Sequence, residues 1–340
     1  MRAVVDGFGK FIGKEGNLIV IKGRSSKRKL NPSELKQIIV IGKAGISSDA
    51  IELLMKNSVD VVFLSKGEIT ARLSHPSLGM AKTRREQYYA YHDRRSVELS
   101  KEFVIAKLRN QMAILSNLAK SRKGDVGDYL MEKRKEIENV IHQLSKLNGE
   151  RIDDVRQEIL GLEGKASNHY WDSLRLIFPK EYNFDGRKGI DEKHSRYARD
   201  IINAMLNYGY AILHSECIRA VELAGLDIYA GFLHSDRSGR TSLPLDLMEE
   251  FRQQIVDKAV IKLIGYKQIK PDDCRIENFI CRLEDKARKT LLKEVLERLD
   301  SKTQYAGRNV TFSSIINSQA RKIARFIRGE VRYKGFWQRW

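Results

Sequence analysis

The hydrophobic pattern of this chain changes once, near residues 75–84, and this change limits the folds that are possible. Before it, short β-branched runs alternate with glycines, which is typical of strands joined by tight turns. After it, apolar residues recur at helical spacing almost to the end of the chain. The sequence therefore predicts an α+β fold, with a small N-terminal β-rich domain at 1–75, a linker at 76–84 and a large all-α C-terminal domain at 85–340.

The same patterns predict individual elements. Strands are expected at residues 2–6, 17–22, 37–41, 59–64 and 68–74, with one helix at 47–58. Helices are expected at residues 83–122, 125–147, 151–178, 194–224, 243–265, 276–301 and 311–329.

Composition excludes several classes of protein. The longest apolar runs, such as 38–41 and 61–64, are far shorter than the roughly 18–20 residues that span a bilayer. The N-terminus has no apolar signal-peptide core, so we expect a cytoplasmic protein without membrane association. Three cysteines without a CxxC pair fit a reducing compartment and do not favour a zinc site.

Charge is the strongest global indication of function. The 340 residues carry a formal net charge of +18, and the isoelectric point is about 9.7. Such an excess favours a polyanionic partner, most often nucleic acid. The segment 22–29, KGRSSKRK, has five basic residues and no acid. It could contact phosphates at a hairpin tip or form a solvated turn, and the sequence leaves both open.

One stretch, residues 229–251 with the sequence YAGFLHSDRSGRTSLPLDLMEEF, concentrates candidate chemistry. His234 ends an apolar run, a polar loop follows, and a helix begins near Ser242. Asp246, Glu249 and Glu250 are spaced to share one face of that helix. Acids near a helix start also complement the helix dipole, by roughly 0.3–1 kcal/mol each. The cluster alone therefore does not decide between a cap and a binding site.

Carboxylates with an imidazole are typical ligands of a hard divalent cation that acts on phosphates. His234 and the acids at 246–250 can supply two such ligands. Glu163 is the candidate for a third, because it lies between Gly161 and Gly164, where we expect helices to approach closely. No general motif fixes the 71 residues between Glu163 and His234, so spacing does not establish this site.

The other histidines and the common catalytic motifs add little. His214 is expected on the buried side of its helix as a satisfied core histidine, and His169 lies on a different helical face from Glu163. No Walker loop, GxSxG elbow, HExxH pair or kinase motif set is present. Metal-dependent phosphoryl chemistry is the enzyme class that stays open.

The chain resembles a known family at several separated motifs in the same order. These motifs are GLEGKASNHYW, LNYGY at Leu206–Tyr210, GLD at Gly225–Asp227 and GFLH at Gly231–His234. Over nearly its whole length the chain is similar to the CRISPR-associated adaptation integrase and endonuclease, the universal spacer-acquisition nuclease.

The resemblance implies a metal site and a fold. It implies an N-terminal β domain that forms a homodimer and an α domain that holds one Mn²⁺ or Mg²⁺ ion. The implied ligands are Glu163, His234 and Glu249, with Asp246 as a nearby acid that supports the site. His234 is also implied as a candidate for proton transfer, and the sequence does not separate this role from metal binding.

The resemblance also implies a reaction and partners. Members join the 3′-hydroxyl of a short DNA fragment to a phosphodiester of a repeat array, and they work with a small ferredoxin-like adaptation protein. Five arginines are candidates for phosphate contacts, with solvated surface as the alternative. They are Arg84, Arg196, Arg199, Arg237 and Arg240.

Two other functions are compatible with the residues. A non-catalytic DNA or RNA scaffold needs the basic surface but not Glu163. A nuclease that cuts RNA or branched DNA needs the same three candidate ligands as the integrase.

Overall fold

The computed structural model of the protein describes residues 2–24, 26–65, 68–74, 81–122, 124–187 and 197–338. It contains two compact units, Met1–Gly79 and Met80–Trp340. The first unit is rich in strands and the second is mostly helical, which confirms the predicted α+β class. Within the described ranges, no helix is both long and apolar enough to cross a bilayer.

The first unit is built from two four-stranded sheets and a short helix. In one sheet the strand order is β1-β5-β7-β8, with the first three strands parallel, and in the other it is β4-β3-β2-β6. The elements are β1 (Arg2–Asp6), β2 (Lys10–Glu15), β3 (Leu18–Lys22), β4 (Lys27–Leu30), β5 (Gln37–Ile41), β6 (Ala44–Ile46), α1 (Ser48–Lys56), β7 (Asp60–Ser65) and β8 (Glu68–Leu73).

The core of this unit lies around strand β5. All five of its residues are buried, because a central parallel strand is covered on both faces and reads as a continuous apolar run. Ile12 and Ile19 of the second sheet and Leu54 of α1 pack into the same core. Strands β2, β4 and β6 were not predicted, since their short segments contain lysines and glycines rather than β-branched runs.

Lys22 at the end of β3 pairs with Lys27 at the start of β4, so the described residues of the basic segment 22–29 lie on and between two antiparallel strands; Ser25 lies outside the described residues. Lys22, Lys27 and Lys29 each lie 2.8–3.2 Å from a carboxylate oxygen of Glu15. Hydrogen bonds from Lys27 and Lys29 lower the pKa of Glu15 to about 2. Part of the basic charge is therefore compensated locally.

The second unit contains helices and two short hairpins. The helices are α2 (Ala81–Tyr91), α3 (Arg94–Lys120), α4 (Asp125–Lys146), α5 (Ile152–Ile177), α6 (Ile201–Leu223), α7 (Ser242–Met248), α8 (Lys258–Gly265), α9 (Asp285–Asp300) and α10 (Phe312–Ile327). The hairpins are β9 (Cys274–Glu277) with β10 (Ile280–Leu283), and β11 (Lys302–Tyr305) with β12 (Arg308–Thr311).

Several element boundaries differ from the predictions, among them the following three. The predicted helix 276–301 begins only at Asp285, because Asn278 and Phe279 adopt positive φ angles of 49° and 64° and close a hairpin. The predicted helix 83–122 is two helices, and Asp93 caps the second by accepting a hydrogen bond from the Arg95 N–H at 2.8 Å. Helix α2 begins at Ala81, inside the segment predicted as a linker.

Helix α6 is the central helix of this unit, and it is buried on nearly all sides. It packs against α7, α9 and α10, while α3, α4 and α5 pack against one another. A Cβ atom at Gly209 would lie 2.5 Å from Val256 Cγ1, so glycine lets α6 approach the segment after α7 closely.

The C-terminal segment 331–338 packs back onto the helices. Tyr333 and Phe336 are buried. The Tyr333 hydroxyl, the Phe336 N–H and Gln319 Nε2 all donate to the buried carboxylate of Glu250. Asn110 of α3 donates to the carbonyls of Glu250 and Phe336, at 2.9 and 3.1 Å. The segment is therefore fixed next to Glu249.

Burial of Glu250 predicts a pH dependence of stability. Burial raises its pKa from 4.5 to about 7, although three groups donate to it. The folded chain therefore holds a proton that the unfolded chain has released, and the stability present below pH 4.5 is lost as the pH rises through about 7. We expect the thermal midpoint of Glu250→Gln, relative to wild type, to rise by up to a few degrees between about pH 5 and about pH 8.

The test is how the difference in thermal midpoint between variant and wild type changes with pH. Any destabilisation by the amide group that does not depend on pH cancels from that change. Glu158→Gln, at an exposed position of α5, is the control, and its difference from wild type should stay flat. A flat difference for Glu250→Gln as well would contradict the prediction.

Candidate active site

A lysine on α3 joins two glutamates that are distant in the sequence. The Lys107 Nζ atom lies 2.5 Å from Glu163 Oε1 on α5 and 2.7 Å from Glu249 Oε2, one residue beyond α7. The exposed fractions of these side chains are 13% for Lys107, 20% for Glu163 and 5% for Glu249. The two carboxylates are therefore close enough to share one cation.

Neighbouring charges decide the ionisation of this cluster. Burial acts to raise the pKa of Glu249, but Arg252 and Lys107 outweigh burial and lower the pKa to about 2. The charge of His234 acts in the same direction as these two cations. Burial also raises the pKa of Glu163, and Lys107 outweighs that effect, so the net shift is downward. The two glutamates raise the pKa of Lys107 against the effect of burial. The cluster is thus an ammonium group between two carboxylates.

Asp246 fixes the loop that carries His234. Its fully buried carboxylate accepts hydrogen bonds from the backbone N–H groups of Phe232, Leu233 and His234, at 2.7, 3.1 and 2.9 Å. It also lies 2.6 Å from His234 Nδ1. Because a carboxylate accepts this bond, Nδ1 carries the proton and Nε2 is available as a ligand or proton acceptor.

Two further residues shape the same loop. A Cβ atom at Gly231 would lie 3.0 Å from the carbonyl oxygen of His234, so this turn requires glycine. Gln87 of α2 donates to the carbonyls of Asp227 and Ala230, at 2.9 and 2.7 Å, and accepts from the Asp227 N–H. Gln87 was not predicted, since its partners are 140 or more residues away.

Arg252 connects Glu249 to a second buried acid. It contacts Glu249 Oε1 at 3.1 Å, and its guanidinium carbon lies 4.7 Å from the centre of the Tyr210 ring. The hydroxyls of Tyr210 and Tyr170 donate to Asp257, at 2.6 and 2.8 Å. Residues 253–257 between them form a π-helical turn, an irregularity that is frequent at functional sites.

The donor atoms suit a hard divalent cation in their chemistry. Glu163 and Glu249 offer carboxylate oxygens within reach of one ion, and His234, whose charge acts on Glu249, offers an imidazole nitrogen. In the arrangement of the described residues, no three His, Cys, Asp or Glu side chains form a group that could hold a metal ion. The space between the two glutamates contains the ammonium group of Lys107.

The expected common face of Asp246, Glu249 and Glu250 is not formed, because α7 ends at Met248. Asp246 binds the loop of His234, and Glu249 contacts Lys107. Glu250 binds the C-terminal segment. The three acids therefore have separate partners and separate roles.

The glycines around Glu163 do not serve close helix packing, contrary to the prediction. A Cβ atom at Gly161 or at Gly164 would meet no atom within 4 Å, so neither glycine is required for close helix packing in this unit. The two positions leave open space along α5 next to Glu163.

Lys107 was missed although the sequence contained an indication of it. Phe103, Val104 and Leu108 form part of the buried face of α3, and position 107 lies on that face, four residues after Phe103 and three after Val104. A lone lysine on an apolar helix face needs a buried partner. The sequence could not identify which acids would supply it.

The predicted phosphate-binding arginines differ in exposure. Arg199 and Arg237 are exposed, and Arg84 and Arg240 are partly buried. Burial and the charge of Arg237 lower the pKa of Arg240, so this loop is electropositive. Arg196 lies outside the described residues.

His214 is a neutral, hydrogen-bonded histidine. Its Nε2 lies 2.9 Å from Thr241 Oγ1. Burial and the charge of Arg252 lower its pKa to about 4. Burial also lowers the pKa of His169, which makes no contact with Glu163 among those described.

Comparisons with known proteins point to one family. The family model for CRISPR associated protein Cas1 matches residues 3–297. The CRISPR-associated endonuclease Cas1 1 of Archaeoglobus fulgidus is 60% identical over 345 residues, which covers 100% of both chains. Among solved structures, a casposase bound to its integration product matches with a TM-score of 0.82 and 28% identity, over 98% of this chain and 92% of that chain.

A Cas6-RT-Cas1–Cas2 complex contains a similar fold. It matches with a TM-score of 0.79 and 20% identity, over 99% of this chain and 36% of that chain. The family match and the full-length relative lead to one conclusion: the chain belongs to the Cas1 family of CRISPR-associated proteins.

Proposed function

We propose that the protein is a divalent-metal-dependent DNA endonuclease and integrase of CRISPR adaptation. In this proposal it inserts short DNA fragments into a repeat array by attack of a fragment 3′-hydroxyl on a phosphodiester. One ester bond to phosphorus forms as another breaks, so the joining step needs no nucleotide hydrolysis.

The observation that carries the proposal is the convergence of Glu163 and Glu249 on one nitrogen atom. These residues come from α5 and from the segment after α7, and each lies within 2.7 Å of Lys107 Nζ. Two carboxylates that converge on one point need positive charge between them, and a divalent ion can supply that charge as Lys107 does. The family match makes a phosphodiester the expected substrate of such a cluster.

The residues would act as follows. Glu163, His234 and Glu249 would hold Mn²⁺ or Mg²⁺, and Asp246 would orient His234 through Nδ1. A bound divalent ion supplies positive charge that polarises the attacked phosphate and stabilises the leaving oxygen. Arg237 and Arg240 would hold DNA phosphates near the loop of His234, and the net charge of +18 would attract duplex DNA without regard to sequence.

Two similar proteins support nuclease and integration chemistry. The Archaeoglobus fulgidus relative is named an endonuclease. The casposase, at 28% identity, is bound to an integration product. The second observation favours strand joining over a purely binding scaffold.

The proposed partners rest mainly on family resemblance. We propose a homodimer formed through the strand-rich unit, where Phe8 and Phe11 expose 76% and 45% of their surface. We also propose a small ferredoxin-like adaptation protein as a partner. Two of the structures with this fold are complexes of Cas1 together with Cas2.

Substitution of any proposed ligand should abolish strand joining. We expect Glu163→Gln, His234→Asn and Glu249→Gln each to lower the joining rate by about 10³-fold or more, because each removes a negative charge or a donor atom from the proposed metal site, and the bound ion is what stabilises charge on the reacting phosphate. The measurement is joining of a labelled fragment to a repeat-containing plasmid in Mn²⁺ or Mg²⁺, with an EDTA arm.

Glu158→Gln is the matched control, since it makes the same substitution at an exposed position of the helix that carries Glu163. DNA affinity should change little in all four proteins. Joining at the wild-type rate by any ligand variant, or in excess EDTA, would refute the metal-dependent mechanism. Parallel assays with RNA and forked DNA test the other substrates.

Loss of an exposed arginine should weaken DNA binding and its salt dependence. We expect Arg237→Ala and Arg199→Ala each to reduce duplex affinity, and to reduce the slope of log K against log salt by about 1 if one phosphate contact is lost. The measurement is fluorescence anisotropy over a salt series.

Arg175→Ala, which removes an exposed arginine paired with Asp185, serves as the control. An unchanged slope for both test variants would assign these arginines to solvated surface.

A further inference from the structure

The proposed reaction does not explain why Lys107 contacts both Glu163 and Glu249. Its ammonium group lies directly between two glutamates that we assign to a divalent ion. An ion that used both carboxylates would have to enter the same gap. Lys107 and the ion would then compete for the same oxygens.

We propose that Lys107 holds the place of the divalent cation between Glu163 and Glu249, and that the ion binds by displacing it. The inference rests on the proposed metal site and adds a positioning residue to it. In the absence of the ion, Lys107 keeps the two acids together, ionised and correctly spaced.

The surroundings of the cluster make this role specific to Lys107. Glu163 Oε1 also accepts a hydrogen bond from Ser167 Oγ at 2.7 Å, and Glu249 Oε1 is paired with Arg252. These partners each serve one carboxylate. Among the contacts described here, the Lys107 ammonium is the one that touches both.

The position of Lys107 suits a group that can leave. Its backbone is fixed in α3, where Ala106 packs against Gly335 and Asn110 binds the C-terminal segment. Its side chain has four rotatable bonds and keeps 13% of its surface exposed, so the ammonium can swing toward water without movement of the helix. An entering dication repels it, which favours that movement.

Replacement of the ammonium group by a neutral side chain tests the inference. We expect Lys107→Met to unfold at a lower temperature than wild type without divalent ions, because two buried carboxylates then repel each other. We expect it to bind Mn²⁺ more tightly, on the order of tenfold, because the competitor is gone. Isothermal titration calorimetry gives the affinity, and thermal melts with and without Mn²⁺ give the stability.

Three further proteins control the comparison. Lys120→Met loses one lysine charge from an exposed position of the same helix, and Lys107→Arg keeps the cation; both should bind Mn²⁺ as wild type does. Glu163→Gln combined with Lys107→Met should recover thermal stability without Mn²⁺, because one of the repelling charges is removed.

The outcomes separate this inference from the function on which it rests. If wild type binds no Mn²⁺, or if Glu163→Gln binds it equally well, the metal site fails and the inference fails with it. If wild type binds Mn²⁺ through Glu163 but Lys107→Met binds it equally or more weakly, the displacement of Lys107 is refuted and the metal site is not.

A structural measurement covers the case in which Lys107→Met does not fold. In crystals of the wild-type protein soaked with Mn²⁺, the anomalous signal should lie between Glu163 and Glu249. The Lys107 Nζ atom should have left both carboxylates. An ion in that gap with Lys107 still bound to both glutamates would overturn the inference.

Discussion

Two buried carboxylates do not stay side by side without positive charge between them. Two like unit charges about 4 Å apart repel each other by about 4 kcal/mol at an effective dielectric constant near 20, a large share of the stability of a domain. Lys107 supplies that charge, and in doing so it joins α3, α5 and the segment after α7. The positions of Glu163 and Glu249 thus follow from an electrostatic requirement as well as from packing.

Helix α3 also connects the charged cluster to the C-terminal segment 331–338. Lys107 contacts Glu249, and one turn away Asn110 binds the carbonyls of Glu250 and Phe336. The neighbouring acids have opposite shifts, because cations lower the pKa of Glu249 to about 2 while burial raises that of Glu250 to about 7. One glutamate therefore serves the charged cluster, and the next anchors the C-terminal segment that supports it.

The sequence predicted those features that local patterns determine. The change of periodicity near residue 75 gave the α+β class, since period and length are local properties. The hairpin Cys274–Leu283 was missed, because strands of four residues are too short to establish a period. Glu163, His234 and Glu249 came from family resemblance and not from spacing. Lys107 could not be assigned a partner, because its two acids lie 56 and 142 residues away and meet it only in the folded chain.

The candidate site has one half that is fixed without a cation and one half that depends on a cation. Asp246 holds the loop of His234 with three backbone hydrogen bonds and orients the ring with a fourth contact, and none of these involves the glutamates. Glu163 and Glu249, in contrast, keep their separation through the charge between them. Under the proposal, a divalent ion that displaces Lys107 would therefore replace the charge that holds the two carboxylates, while the contacts of the imidazole would stay as they are. The two glutamates thus depend on the cation between them, while the contacts with Asp246 hold His234 in place whichever cation is bound.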